Sequence, residues 1–572
     1  MNISINTRVR RRLHGRHFYH WRLCRFEPLE PRQVLSASVD LADLTAQVLS
    51  STKILSGGTT SLPSSAFTPA QIRQAYGVNS ITLAGGKKAD GSGTTIAIVD
   101  PGNDPTIVPD LAAFDTKFGI SAPPSFKVVN QFGSTNPATL PVSDPYTSEE
   151  IALDVEWAHA IAPGASILLV EVNDPFSPNS FGSLDPTEMF LGNQYARSQP
   201  NVVVVSNSWG GSEEFGESAT DPIFTTPSGH SGVQFVFSAG DSGGPASYPS
   251  ASPNVLSVGG TVLKLSGGNY SSETVWNLAS GSEAGAGGGG QSAALVNDGS
   301  GNISDVFPLE SVPNYQAGLG LTGRGTPDIS YDAVNYPIYD SFSFGSATPW
   351  GVVNGTSAGA PQVSALIAIA DQGRALVGKG PLTNVQSIIY NKSFASDFTD
   401  ITNGNNDFFG GGLGITGNKA VAGYDLASGL GTPKANLLIA GLVAFNGTAT
   451  VSSNHPGVPS TFSFGVIFVT PRILTADSGP AEGATALSLI SVDNSAGISS
   501  DNLPHGQFSA ANVNGNSTAR EADLFLFDDS SPLQFVSDSQ ADSSDLAHRS
   551  HENHDAAADN SNAALDSFFA EV

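Results

Sequence analysis

Ser357 lies in "NGTSAGAP" (residues 354–361), a run of small residues with a proline four positions after the serine. Gly355 and Ala358 leave room for a substrate backbone, and the spacing predicts an exposed hydroxyl at the start of a helix. A serine nucleophile needs a base to take its proton, and the usual base is a histidine held by an aspartate. The chain has ten histidines. His14, His17 and His20 precede the regularly patterned part of the sequence, and His455, His505, His548, His551 and His554 follow it. Within it, His159 sits in the helical stretch "EWAHAIA" and His230 in the loop "PSGHSG". Neither opens a helix from a glycine-rich turn, so both read as packing or surface residues.

A carboxylate is the alternative base. In "TSEEIALDVEW", Glu150 and Asp154 are four apart and share one face of a helix. Two acids so placed repel unless they share a proton, in which case one accepts the serine proton and the other orients it. A structural reading stands beside this one. Thr147 as N-cap with Glu150 three residues on would form a capping box, and acids near a helix start favour the helix dipole. A third acid, Asp241, occupies the glycine turn of "VQFVFSAGDSGGP". Protonated, it could donate to a developing oxyanion.

The elements that must position these groups alternate. "TTIAIVD", "ASILLVEV", "NVVVVSNS" and "VQFVFSAG" read as buried strands, with helical runs between them such as "SEEIALDVEWAHAIA" and the run before "VQFVFSAG". Continuous apolar strands alternating with helices predict an α/β doubly wound fold, a mainly parallel sheet flanked by helices. Active sites in such sheets gather at the carboxyl ends of the strands.

Over residues 67–445 these motifs, in this order, resemble the sedolisins, the serine-carboxyl peptidases with a subtilisin-like fold. "EIALDVEWAHAIAPGA" is similar to that family's Glu/Asp helix, "SAGDSG" to its oxyanion segment and "NGTSAGAP" to its nucleophile segment. The resemblance implies Glu150 as base, Asp154 as its partner, Asp241 in the oxyanion hole and Ser357 as nucleophile. "VSNSWGG" implies that Trp209 lies near the carboxyl pair, and "IAIVDPGND" that Asp100 joins a supporting network where many relatives carry glutamate. "FTDITNGNND" and "VAGYDLASGLGTP" resemble the family's calcium loops. They imply one structural Ca²⁺ held by the carboxylates of Asp400 and Asp425 and the carbonyls of Ile401, Val421 and Gly423, an all-oxygen set suited to a hard cation. Many members of that family carry a long N-terminal activation domain; the expectation here is only a short linker between leader and body.

The rest of the sequence bounds the reading. Residues 1–38 form a basic leader with an LEPR-type export signature in "FEPLEPRQVLSAS". Residues 39–66 read as a polar linker or vestigial propeptide, and residues 446–572 as an acidic low-complexity tail, with a small β module at 460–530 as the lesser alternative. The net charge of −27 argues against nucleic acid as a partner. No apolar run reaches the roughly 18 residues of a membrane span, and the single cysteine, Cys24, permits no intrachain disulfide. The expectation is an exported, monomeric, acid-acting endopeptidase on protein or peptide substrates. The rivals are a histidine-dependent subtilase, which needs His159 or His230 at Ser357, and an exported binding protein without turnover.

Overall fold

In the computed structural model, residues 53–447 are described, apart from 174–185, 279–283, 294, 298–302, 306–307 and 409–416. The chain divides into two units at Pro456. The leader, Cys24, the five tail histidines and nearly all of the tail lie outside the described residues.

The middle strands of the central sheet bury both faces. β2 (Thr95–Pro101), β3 (Phe126–Asn130), β4 (Ser166–Val172), β5 (Val202–Asn207) and β6 (Gln234–Ser238) pair in parallel, and β6 continues in parallel to β7 (Leu256–Ser266). β8 (Asn269–Val275) returns antiparallel along β7, and β9 (Ile329–Asp332) adds in parallel, so the order is β8-β7-β6-β5-β2-β4-β3 with β9 on β7. Alternation along β2 explains the double burial. Ile96 and Ile98 enter one apolar cluster with Ile151, Val155 and Leu366, whereas Ala97 and Val99 enter another with Met189 and Phe237.

Helices cover both faces. α1 (Pro69–Ala75) starts at a capping box formed by Thr68 and Gln71. α2 (Ile107–Phe118) packs on α3 (Pro145–Ile161), and α3 on α5 (Gly359–Leu376); α4 (Thr187–Ser198) packs on β2, β4 and β5, and α6 (Ala435–Ala444) on α5. The helix expected just before β6 is absent. Glu217–Phe224 there is a 3₁₀ segment with Pro222 inside it, and a proline removes the donor that an α-helix interior needs.

A second, three-stranded antiparallel sheet lies beside the serine. β10 (Tyr336–Tyr339) pairs with β11 (Trp350–Asn354), and β11 also pairs with β1 (Lys53–Thr59), Lys53 opposite Asn354. The segment expected to be a linker thus contributes an edge strand to the element that leads into Ser357.

The 3₁₀ segment is fixed through carboxyl groups. Glu217 is pushed up to about 9 by burial and by Glu213, with which it shares a hydrogen bond, and Glu310 up to about 10 by burial and by Asp221, its own hydrogen-bonded partner. Asp221, pushed up to about 7 by burial, also accepts from Tyr248 Oη (3.1 Å). Glu213 accepts from the Ala293 amide (3.0 Å). Each pair needs a shared proton to hold together.

Candidate active site

α3 carries the acids. Asp144 caps it, accepting from the Tyr146 amide (2.9 Å), and Pro145 occupies the first turn. The helix therefore starts before Thr147, Thr147 is not its N-cap, and the capping-box reading of Glu150 fails. Every residue from Thr147 to Ile161 is buried, so Glu150 and Asp154 do not form a solvated face. The helix packs against the turn Thr356–Ala358 that holds Ser357.

Ser357 itself is buried, contrary to the exposed hydroxyl expected from its small neighbours. Its turn packs against α3, α5, β7 and β9. The residue before it is tied to the oxyanion candidate: the Thr356 amide (2.8 Å) and hydroxyl (2.7 Å) both donate to Asp241 Oδ1. The Asp241 turn is possible because of the glycines opposite. The Gly288 amide donates to the Gly240 carbonyl (2.6 Å), and a Cβ on Gly288 would collide with the Ala239 carbonyl.

Around the pair, carboxyl groups stand in a file at the strand ends. Asp100, at the end of β2, is held well above the usual carboxylate range by burial, then by Glu150 and Glu171. Asp154 is raised by burial, Asp100 and Glu150, against the pull of Ser208. Ser208 Oγ lies 2.7 Å from Asp154 Oδ2 and 3.0 Å from Oδ1, and it donates to that carboxylate. Glu171, at the end of β4, is pushed up to about 8 by burial and accepts from the Asp104 amide (3.0 Å). Like charges crowded in a low-dielectric space keep protons at pH values where free carboxyls have lost them.

Trp209 belongs to the turn that carries Ser208. Its indole N–H donates to Asn207 Oδ1 (3.0 Å), and its rings pack on Phe237 and Phe190. Ser208 is the member of that turn that reaches the acid pair. The body's two histidines are engaged elsewhere: His159 Nε2 lies 2.9 Å from the Ser121 carbonyl and 3.3 Å from Asp115, and His230 Nε2 lies 3.1 Å from the Gln199 carbonyl.

The residues expected to hold calcium come together on two loops. The Gly423 amide donates to Asp400 Oδ2 (3.0 Å), and Ser428 Oγ to the Ile401 carbonyl (3.4 Å). Asp425 Oδ1 takes the Ala427 and Ser428 amides and the Ser428 hydroxyl; its Oδ2 takes the Val421 amide (2.8 Å). Asp425 Oδ1 is thus saturated, while Asp425 Oδ2 and the Asp400 carboxylate keep lone pairs that fit a hard cation.

The model of the subtilase family matches residues 91–412. Kumamolisin from Bacillus sp. (strain MN-32) is 32% identical over 399 residues, covering 64% of this chain and 62% of that protein. Sedolisin from Pseudomonas sp. (strain 101) is 29% identical over 362 residues, covering 59% of this chain and 56% of that protein. The chain therefore spans less than two thirds of the length of either relative. Among solved structures, Pseudomonas sedolisin, a serine-carboxyl proteinase complexed with two molecules of pseudo-iodotyrostatin, aligns with a TM-score of 0.51 at 25% identity. That alignment covers 66% of this chain and 97% of the other.

Proposed function

The chain belongs to the subtilase family and, within it, to the sedolisins, and from that premise we propose that it is an exported, acid-acting serine-carboxyl endopeptidase. The observation that carries the reading is the packing of the buried Glu150/Asp154 helix against the Ser357 turn, while His159 and His230 are engaged with other groups.

In this mechanism Ser357 Oγ attacks the scissile carbonyl carbon and its proton passes to Glu150. Asp154, held by Ser208, orients Glu150. The carbonyl oxygen becomes an oxyanion facing the Ser357 amide and the protonated carboxyl of Asp241. Because Asp241 Oδ1 accepts from Thr356, Oδ2 is the oxygen that carries the donated proton. Glu150 then returns its proton to the leaving amine as the carbon–nitrogen bond breaks. A water molecule repeats the sequence on the acyl-enzyme and frees Ser357.

Both functions need acid. Asp241 must hold a proton and Glu150 must be able to accept one, so the coupled carboxyls set a bell-shaped profile on the acid side. Asp100 supports the pair by keeping the file of carboxyls charge-poor. Ca²⁺ held by Asp400, Asp425 and the carbonyls of Ile401, Val421 and Gly423 would neutralise the two C-terminal loops. Protein or peptide substrates, a monomeric state and an extracellular location belong to the same reading, the last supported by the LEPR-type leader.

Ser357→Ala and Glu150→Gln should each abolish nearly all hydrolysis of a fluorogenic peptide library at acid pH, without adding when combined. His159→Ala and His230→Ala should keep the chemistry, although His159→Ala will lower the melting temperature. Loss of turnover with His230→Ala and retention with Glu150→Gln would refute the carboxyl triad.

A further inference from the structure

Asp104, in the loop after β2, Asp110, in the first turn of α2, and Asp340, just after β10, converge away from the calcium loops. One carboxylate oxygen from each lies within 4.8 Å of the other two. All three residues are buried, at 2%, 3% and 0% exposure.

Each is oriented by its own donors. Asp110 accepts from the Ser341 amide (2.8 Å) and hydroxyl. Asp340 accepts from the Phe342 and Ser343 amides and from Ser148 Oγ (2.7 Å). Asp104 Oδ1 accepts from the Thr106 amide and hydroxyl, whereas its Oδ2 is buried without a hydrogen-bond partner among the described residues. That bare oxygen on an otherwise fixed side chain asks for a ligand.

Nothing basic answers it. The charged groups acting on Asp104, on Asp340 and on the adjacent buried Glu156 are all carboxyls. The ion pairs of the described residues engage Asp90, Asp115, Asp328 and Asp371 instead. Buried carboxylates need pairing or a metal. Ca²⁺ takes oxygen ligands at about 2.3–2.6 Å, so ligands on opposite sides of it stand roughly 4.6–5.2 Å apart. The cluster fits within that span.

We propose that Asp104, Asp110 and Asp340 form a second Ca²⁺ site, separate from the C-terminal loops. The ion ties the loop that follows Asp100 to α2 and to the end of β10. Through Ser148, which donates to Asp340, it also steadies the start of the helix that carries Glu150 and Asp154. The site does not depend on the peptidase reading, because its ligands are defined without Ser357.

The test is calcium stoichiometry, measured on the full chain by equilibrium dialysis near neutral pH and elemental analysis. Asp104→Asn, with a native circular-dichroism spectrum, should bind one Ca²⁺ fewer than the unaltered chain, whatever the C-terminal loops hold. Asp425→Ala should still bind at least one ion, a measurement that leaves the cluster intact and so does not rest on the folding of Asp104→Asn. An unchanged count in folded Asp104→Asn, or no bound calcium in Asp425→Ala, would overturn the proposal and assign the cluster's neutralisation to protons.

Discussion

Removing one hydroxyl should move one limb of the pH profile and leave the other in place. Ser208 Oγ is the donor to Asp154, 2.7 Å from Oδ2, and it opposes the burial and like charges that raise that carboxyl. A hydrogen bond to a charged acceptor is worth about 1.5–3 kcal/mol net. At ~1.36 kcal/mol per pH unit, its loss makes the anionic form of the site harder to reach by an amount equivalent to about one to two pH units. Asp100 and Glu150 share the proton with Asp154, so the visible displacement should lie near the lower figure, about one unit. In Ser208→Ala the acid limb of kcat/KM should therefore move toward neutral pH by about one unit. The alkaline limb, governed by Asp241 on a different loop, should stay. Far enough down the acid limb that the base is mostly protonated, kcat/KM should fall about tenfold, with a smaller loss at the top of the bell. A quenched-fluorescent peptide assayed across the acid range reads this directly. A uniform fall at every pH would mean that Ser208 only shapes its turn, and an acid limb that does not move would refute the coupling of Ser208 to the base.

Asp241→Asn keeps an acceptor for Thr356 and places an amide donor where Oδ2 stood, so it should lose some activity in acid yet flatten the alkaline limb; Asp241→Ala should lose roughly 10²–10³-fold, and pH–rate profiles of both variants check this. Calcium chelation should lower the thermal midpoint of the unaltered chain, with about 2.7 kcal/mol at stake when calcium stands at 100 times its Kd; if the C-terminal loops contribute, chelation should have a smaller effect on Asp425→Ala, whose lost amide and hydroxyl contacts lower the starting midpoint. Stability should fall as pH rises from about 4 toward 9. Glu217, Asp221 and Glu310 keep protons in the folded chain that the unfolded chain releases near its ordinary ~3.9–4.3. Melts at several pH values, with Glu310→Gln flattening the trend, would show this, and a midpoint that climbs between pH 4 and 8 would contradict it.

The parallel strands were legible because β2, β4, β5 and β6 are short apolar runs buried on both faces, with turn residues at their ends. The start of α3 was also written in the chain: Asp144 followed by Pro145 is a helix-start signal, but the capping pattern at Thr147 competed with it. Spacing singles out Glu150 and Asp154 as a pair, since four residues along a helix is a local relation, but it leaves open what the pair does; the roles come from the resemblance of the surrounding motifs. Ser208, Glu171 and Asp104 were not singled out. Ser208 reaches Asp154 across 54 residues of sequence and the Asp104 amide reaches Glu171 across 67, and no periodicity encodes such contacts. The glycine run around Gly288 gave no signal beyond flexibility, because a close backbone approach is a property of the neighbour and not of the glycine.

The pairing of β1 with β11 sets a limit on maturation by trimming. Lys53 stands opposite Asn354 and Ile54 opposite Val353, so the stretch before the nucleophile is hydrogen-bonded on that side by the N-terminal part of the same chain. Proteolytic shortening that stops ahead of Lys53 preserves this edge. A cut past Thr59 would strip it, leaving β11 supported only by β10 and presenting unpaired amides and carbonyls three residues from Ser357. The first residue of a working enzyme is thereby constrained by the strand beside its nucleophile.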